Sequence, residues 1–275
     1  MNTLIDIKQK LQKNWRSSII LGVSLVLFLS AIAWHACLDP NKSYSDKTTE
    51  LIVDWYHFFL EADRFSEGYR GPNSARAFGF IGLAGIESAR PAFAGDLNPV
   101  DIFLPGYQSI HFNEKEPFVL QAALNACYRK MYSKFYLTAP PDVYKHSEAL
   151  FLKWENYLLK HYTKSQIENS KLYGDSIANS IYAFSSSDSI GHQAYLHIYD
   201  KQFVSSKEEG KWKISEEIPM PPLLPYWGKA RPFVINLKDF ITKPLPEYST
   251  LAGSEYYIEA LEVLTISSPL SFENK

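Results

Sequence analysis

Along the first two thirds of the chain, apolar residues recur at threes and fours, the spacing that gathers them on one face of an α-helix. In TTELIVDWYHFFLEADRF, residues 48–65, Leu51, Ile52, Trp55, Phe58, Phe59 and Ala62 form such a stripe, while Asp54, His57 and Glu61 fall on the other side. The same period predicts helices over 114–135, 147–162 and 164–184, the last built on Tyr173, Ile177, Ile181 and Phe184. NSARAFGFIGLAGIESARP, residues 73–91, carries Ala75, Ala77, Gly79, Gly82, Ala84 and Gly85, small enough to admit close neighbours, so this helix is expected at the centre of a bundle. Beyond residue 190 the helical period fades. HQAYLHIYDKQFV, with Tyr195, His197 and Tyr199 at alternate positions, and the segment around KWKISEEIP are predicted to be extended or looped. Pro219, Pro221, Pro222 and Pro225 then exclude regular helix, because each lacks an amide donor and restrains its predecessor. A last helical pattern resumes at GSEYYIEALEVL. The expected fold is mainly α, a helical bundle followed by a proline-rich connector.

One apolar run has no amphipathic period. SSIILGVSLVLFLSAIAW, residues 17–34, is long enough to cross a hydrocarbon core of roughly 30 Å, and Lys8, Lys10, Lys13 and Arg16 precede it. Positive flanks stay on the cytoplasmic side, so everything after residue 40 is expected outside, exported and membrane-anchored, in the periplasm or on the cell surface. In AWHACLDP, Ala36 followed by Cys37 resembles a lipoprotein cleavage site and makes Cys37 the lipidation candidate, with Trp34 standing where a branched aliphatic residue is usual. An uncleaved helical anchor and an ordinary cleaved signal stay open beside it. The organisation expected is a signal or anchor segment over 1–40, a polar linker over 41–47, a helical bundle over 48–218, the connector over 219–252 and the start of a second helical part over 253–275. Cys127 reads as a small buried apolar residue.

Composition narrows the function classes. With 46% hydrophobic and 15% aromatic residues in 275, the chain can bury a sizeable core. A net charge of -2 and 21% charged residues leave no basic stripe to neutralise phosphates, so no nucleic-acid partner is expected. There is no GxSxG elbow, HExxH motif, phosphate loop or CxxC pair. His192 and His197, with Asp188 and Asp200 near them, are the one grouping that suggests a metal, yet their spacing matches no ligand set. His57 falls on a polar face and is expected to be solvated. Arg76 and Arg90 are expected to pair with carboxylates or to cap a helix C-terminus.

Four segments in order, WYHFFLEADRF, ARAFGFIGLAGIESARP, IANSIYAFSSSDSIGH and KWKISEEIPMPPLLPYWGKARPFVI, resemble the N-terminal half of bacterial proteins related to vanadium-dependent haloperoxidases. That superfamily includes type 2 phosphatidic acid phosphatases and bacterial acid phosphatases. The resemblance covers about residues 48–262, and PLLPYWGKARPF and IESARP are its most specific pieces. It implies that the connector introduces a second helical half, in which KxxxxxxRP, PSGH and SRxxxxxHxxxD segments hold vanadate or phosphate. Lysine and arginines there neutralise the oxyanion, while histidines supply a nucleophile or apical ligand and an acid. None of the three segments occurs in this sequence: in GKARPF one residue separates Lys229 from Arg231, ahead of Pro232, instead of six. No catalytic, cofactor-binding or metal residue is therefore carried over, and vanadate or phosphate is expected only with the missing C-terminal half. The expected protein is a truncated or split relative, inactive alone, partnered by a complementary catalytic chain or by further copies of itself. The alternative is a non-enzymatic surface lipoprotein that acts as a binding or scaffold module.

Overall fold

The computed structural model describes residues 40–93, 96–113, 115–200, 202–213, 220–233 and 244–267. The expected anchor with Cys37 lies outside the described residues, as do 214–219 and 234–243 of the connector region and the tail 268–275. Among the described residues, no helix is long and apolar enough to cross a membrane.

The mainly α architecture follows the pattern of the sequence. Among the described residues there are seven α-helices: α1 Pro40–Phe65, α2 Pro72–Ala89, α3 Leu120–Phe135, α4 Pro141–Leu158, α5 Lys164–Ser186, α6 Ser189–Gln193 and α7 Glu255–Ser267. Their boundaries differ from expectation where prolines and caps intervene. Residues 41–47, expected as a linker, are the first turns of α1, which opens with Pro40 where a missing amide costs nothing. Helix α3 starts at Leu120 instead of 114, because Pro117 lies within the expected first turns and Val119 caps the helix in an extended conformation. Helix α4 starts six residues early, with extended Pro140 ahead of Pro141 in the first turn. A capping box starts α5: the Gln166 amide donates to Thr163 Oγ1 at 3.3 Å and the Thr163 amide to Gln166 Oε1 at 3.0 Å.

The described residues divide at Tyr56 and His57 into two compact units. In the described part of the first, Leu51 and Trp55 are buried and Lys47 pairs with Glu50. In the second, α3 is the central element, packed along α5 and against α2 and α4. Its Ala122, Ala123, Leu124, Ala126, Cys127 and Met131 are all buried. The centre therefore belongs to α3 more than to the small-residue helix α2. Gly174 of α5 shows why: a Cβ at that position would lie 2.1 Å from the carbonyl oxygen of Ala123, so the two helix backbones touch there. The end of α1 joins through edge-to-face rings, Phe58 on Tyr132 at 4.8 Å and Phe59 on Tyr128 at 5.8 Å. A smaller cluster of Val119, Ala122, Leu158 and Ile167 closes the other end of the bundle.

After α5 the chain turns back through a short helical segment where extended or looped structure was expected. Residues 192–196 lie in α6 and a 3₁₀ turn, Ala194–Leu196, because Asp188 caps α6 through the Gly191 amide. Extended pairing among the described residues is confined to one antiparallel bridge, Tyr199 with Leu223. The residues of α7 from Glu255 to Ile266 are all exposed.

Candidate functional site

The proline-rich connector is fastened to the bundle at one carboxylate. Asp188 ends α5 and caps α6, and its Oδ2 accepts the Arg76 guanidinium at 2.8 Å and the Arg231 amide at 2.9 Å. Its Oδ1 accepts the Gly191 amide at 3.3 Å. Arg76 comes from α2, donates also to the Arg231 carbonyl at 3.0 Å, and lies over the rings of Phe80 and Phe233. Burial pushes the Arg76 guanidinium below its ordinary value, and Asp188 opposes that shift. Arg231 in turn wraps α5, donating to Ser187 Oγ at 2.9 Å and the Phe184 carbonyl at 2.6 Å, with its guanidinium 3.9 Å from the Phe184 ring centroid. Gly191 is required at this junction, since a Cβ would sit 2.6 Å from Arg76 Cζ.

Fastened in this way, the connector forms one wall of a cleft of about 480 Å³, with α6 and the turn after it as the other wall. That volume lies in the range of small-molecule sites. The backbone amide of Leu224 donates to the Ile198 carbonyl at 2.8 Å, and Leu224 itself adopts φ 49°, a left-handed conformation that leucine rarely takes. From there a 3₁₀ turn, Trp227–Lys229, brings Tyr226, Trp227 and Lys229 to the rim. Facing them are Gln193, His197 and Asp200. Asp200, beside the Tyr226 hydroxyl, raises the pKa of the exposed phenol. Asp200 Oδ1 also accepts the Gln202 amide at 2.7 Å.

The four residues that suggested a metal are thus divided between two tasks. Asp188 is committed to Arg76 and to two amides, and His192 Nδ1 pairs with Ser185 Oγ at 3.0 Å, whereas His197 and Asp200 line the cleft. Among the described residues, no group of three or more His, Cys, Asp or Glu side chains could hold a metal ion. Arg90 pairs with buried Glu87 at 3.2 Å and donates to the Ile110 carbonyl at 2.9 Å, His57 is exposed, and Cys127 is fully buried and free. The guanidinium groups of Arg76 and Arg231 donate to protein acceptors, and both residues also line an open pocket with Pro72, Trp227 and Phe233. The roles of Tyr226 and Gln193 were not visible in the sequence, because a left-handed residue and a single bridge bring them to the cleft.

His192 provides a test of this junction. Burial, followed by the nearby Arg76 charge, lowers its pKa from 6.5, with Asp188 opposing; the rings of Tyr182 and Phe135 enclose it. The unfolded chain takes up a proton at His192 before the folded one does, so stability is expected to fall as pH drops below 6.5. In His192→Gln, urea midpoints measured from pH 7.5 down to 5 are expected to lose part of that decline. An unchanged slope would rule out a half-buried imidazole held neutral.

No known family model matches the chain, and no curated protein matches it. Among solved structures it is similar to the crystal structure of the first bacterial vanadium-dependent iodoperoxidase, with a TM-score of 0.60 and 22% sequence identity. The similarity covers 80% of this chain and 51% of that one, so the chain spans about half the length of the iodoperoxidase chain. At this identity the likeness concerns the fold, which is haloperoxidase-like and helical.

Proposed function

We propose that this chain is the N-terminal helical half of a haloperoxidase-like protein, related to vanadium haloperoxidases and acid phosphatases, and that it performs no oxyanion chemistry by itself. The observation that carries this reading is the commitment of Arg76 and Arg231 to Asp188, Ser187 and backbone carbonyls. Arg76 and Arg231 fasten the connector, and the cations that hold an oxyanion in the enzymes this chain resembles belong to the three motifs that do not occur in this sequence. The fold likeness supports the same division, because it spans about half of the iodoperoxidase chain. The chemistry then belongs to a complementary chain or segment that carries the three oxyanion motifs. Export and attachment to a membrane, through the N-terminal apolar segment or a lipidated Cys37, complete the proposal.

The test uses the full-length chain purified in mild detergent. Supplied with orthovanadate, hydrogen peroxide and iodide, it is expected to form triiodide no faster than the detergent blank, and to release no nitrophenol from p-nitrophenyl phosphate. Equilibrium dialysis is expected to find no retained vanadate. Saturable turnover in either assay would overturn the proposal. The cleft beside the connector favours a second reading, a binding module, and this reading takes a more definite form below.

A further inference from the structure

The cleft holds two opposite charges that are not paired with each other. Asp200 stands on one wall, where its carboxylate accepts the Gln202 amide at 2.7 Å. Lys229 stands on the other, its ammonium 5.2 Å from the centroid of the Tyr226 ring. Neither makes an ion pair with a described residue. Tyr226 adjoins both charges: its ring lies against the Lys229 ammonium, and Asp200 raises the pKa of its hydroxyl. The rest of the lining includes Ile190, Ala194, Leu224 and Trp227, an apolar surface adjoining both charges.

We infer that this cleft binds a small zwitterion with an apolar side chain, chemically an apolar α-amino acid. Its carboxylate meets Lys229, its ammonium meets Asp200, and its side chain lies along Ile190, Leu224 and Trp227. The argument rests on charge matching. A ligand with a single charge meets only one of the two protein charges and leaves the other to water. A neutral ligand leaves both. A zwitterion satisfies each with a charge-assisted hydrogen bond, the stronger kind. The volume of about 480 Å³ suits a ligand of this size. Gln193 and His197 offer further polar groups on the same wall. The left-handed backbone at buried Leu224 fits this role, since strained residues held by their surroundings gather at ligand sites, and here the strain turns the connector so that Tyr226 and Lys229 face Asp200. The inference does not depend on the proposed function, because the cleft is built from residues outside any oxyanion motif.

Isothermal titration of the full-length chain in mild detergent tests it, with L-phenylalanine and L-leucine as probes. Saturable binding is expected with a Kd on the order of 1 mM or tighter, a modest value for ligands of this size. The one-charge analogues 3-phenylpropionate and phenethylamine are expected to bind about tenfold or more weakly than phenylalanine, as are the amino acids to Asp200→Asn and Lys229→Gln. Circular dichroism melts check that both variants fold like the parent, which their position at the rim favours. Absence of saturable heat with either amino acid would overturn the inference. So would equal binding of 3-phenylpropionate with no effect of Asp200→Asn, which would make the cleft a simple anion site.

Discussion

Asp188→Ala is expected to lower the free energy of unfolding by about 3–5 kcal/mol, the cost typical of removing one partner from a buried ion pair. Three donors converge on this carboxylate: the Arg76 guanidinium, the Arg231 amide and the Gly191 amide. The side chains of Arg76 and Asp188 are 6% and 9% exposed, so water cannot readily replace the lost partner. Without Asp188 the Arg76 charge stays between Phe80 and Phe233, α6 loses its cap at a further cost of about 1 kcal/mol, and the connector loses its anchor. Urea denaturation with the full transition fitted measures the loss. The pair itself contributes less than its removal costs, so the double variant Arg76→Met with Asp188→Ala is expected to recover a large part of the stability. A single-variant loss below about 1 kcal/mol would mean that the pair behaves as a surface ion pair and that the connector is held by something else.

How much of this was legible in the sequence depends on the range of the interaction involved. The helices were legible because their stripes of apolar residues are local, as in Leu51, Trp55, Phe58 and Phe59 of α1, all buried. Their starts were less so, because Pro40, Pro141 and the Thr163–Gln166 box set them independently of the apolar period. Arg76 was read correctly as an ion-pair partner, yet its carboxylate, Asp188, lies 112 positions away and was grouped with histidines it does not join. Spacing along a chain says little about contacts closed by a returning connector. The cleft was hidden for the same reason: Tyr226 and Lys229 come to the same cleft as Asp200 after a left-handed Leu224 that no local signal announces. The small residues of α2 were legible as permitting close approach, but what they admit are side chains. A Cβ at Gly79 would meet the Phe233 ring at 2.8 Å, and one at Gly85 would meet the Tyr128 hydroxyl at 2.5 Å. The contact between two helix backbones falls instead at Gly174 in α5, which forms no visible pattern.

That glycine supports the second large prediction. Gly174→Ala is expected to destabilise the fold by about 2 kcal/mol or more, against a gain of about 1 kcal/mol that alanine normally brings to a helix interior. The new methyl would lie 2.1 Å from the Ala123 carbonyl oxygen and 2.9 Å from its carbonyl carbon, far inside van der Waals contact. Those atoms belong to the backbone of α3, so no rotamer change can relieve the clash and the two helices have to part along the seam that buries Ala122, Ala123, Ile177 and Ala178. Gly85→Ala is the informative comparison. It also places a methyl in a crowded position, but against the end of the Tyr128 side chain, which can move, so a smaller loss is expected. Thermal and urea unfolding of the two variants under one set of conditions decide the matter. If Gly174→Ala were as stable as the parent, helix propensity would outweigh the contact, α3 and α5 could not be touching through their backbones, and the central place assigned to α3 would lose its physical basis.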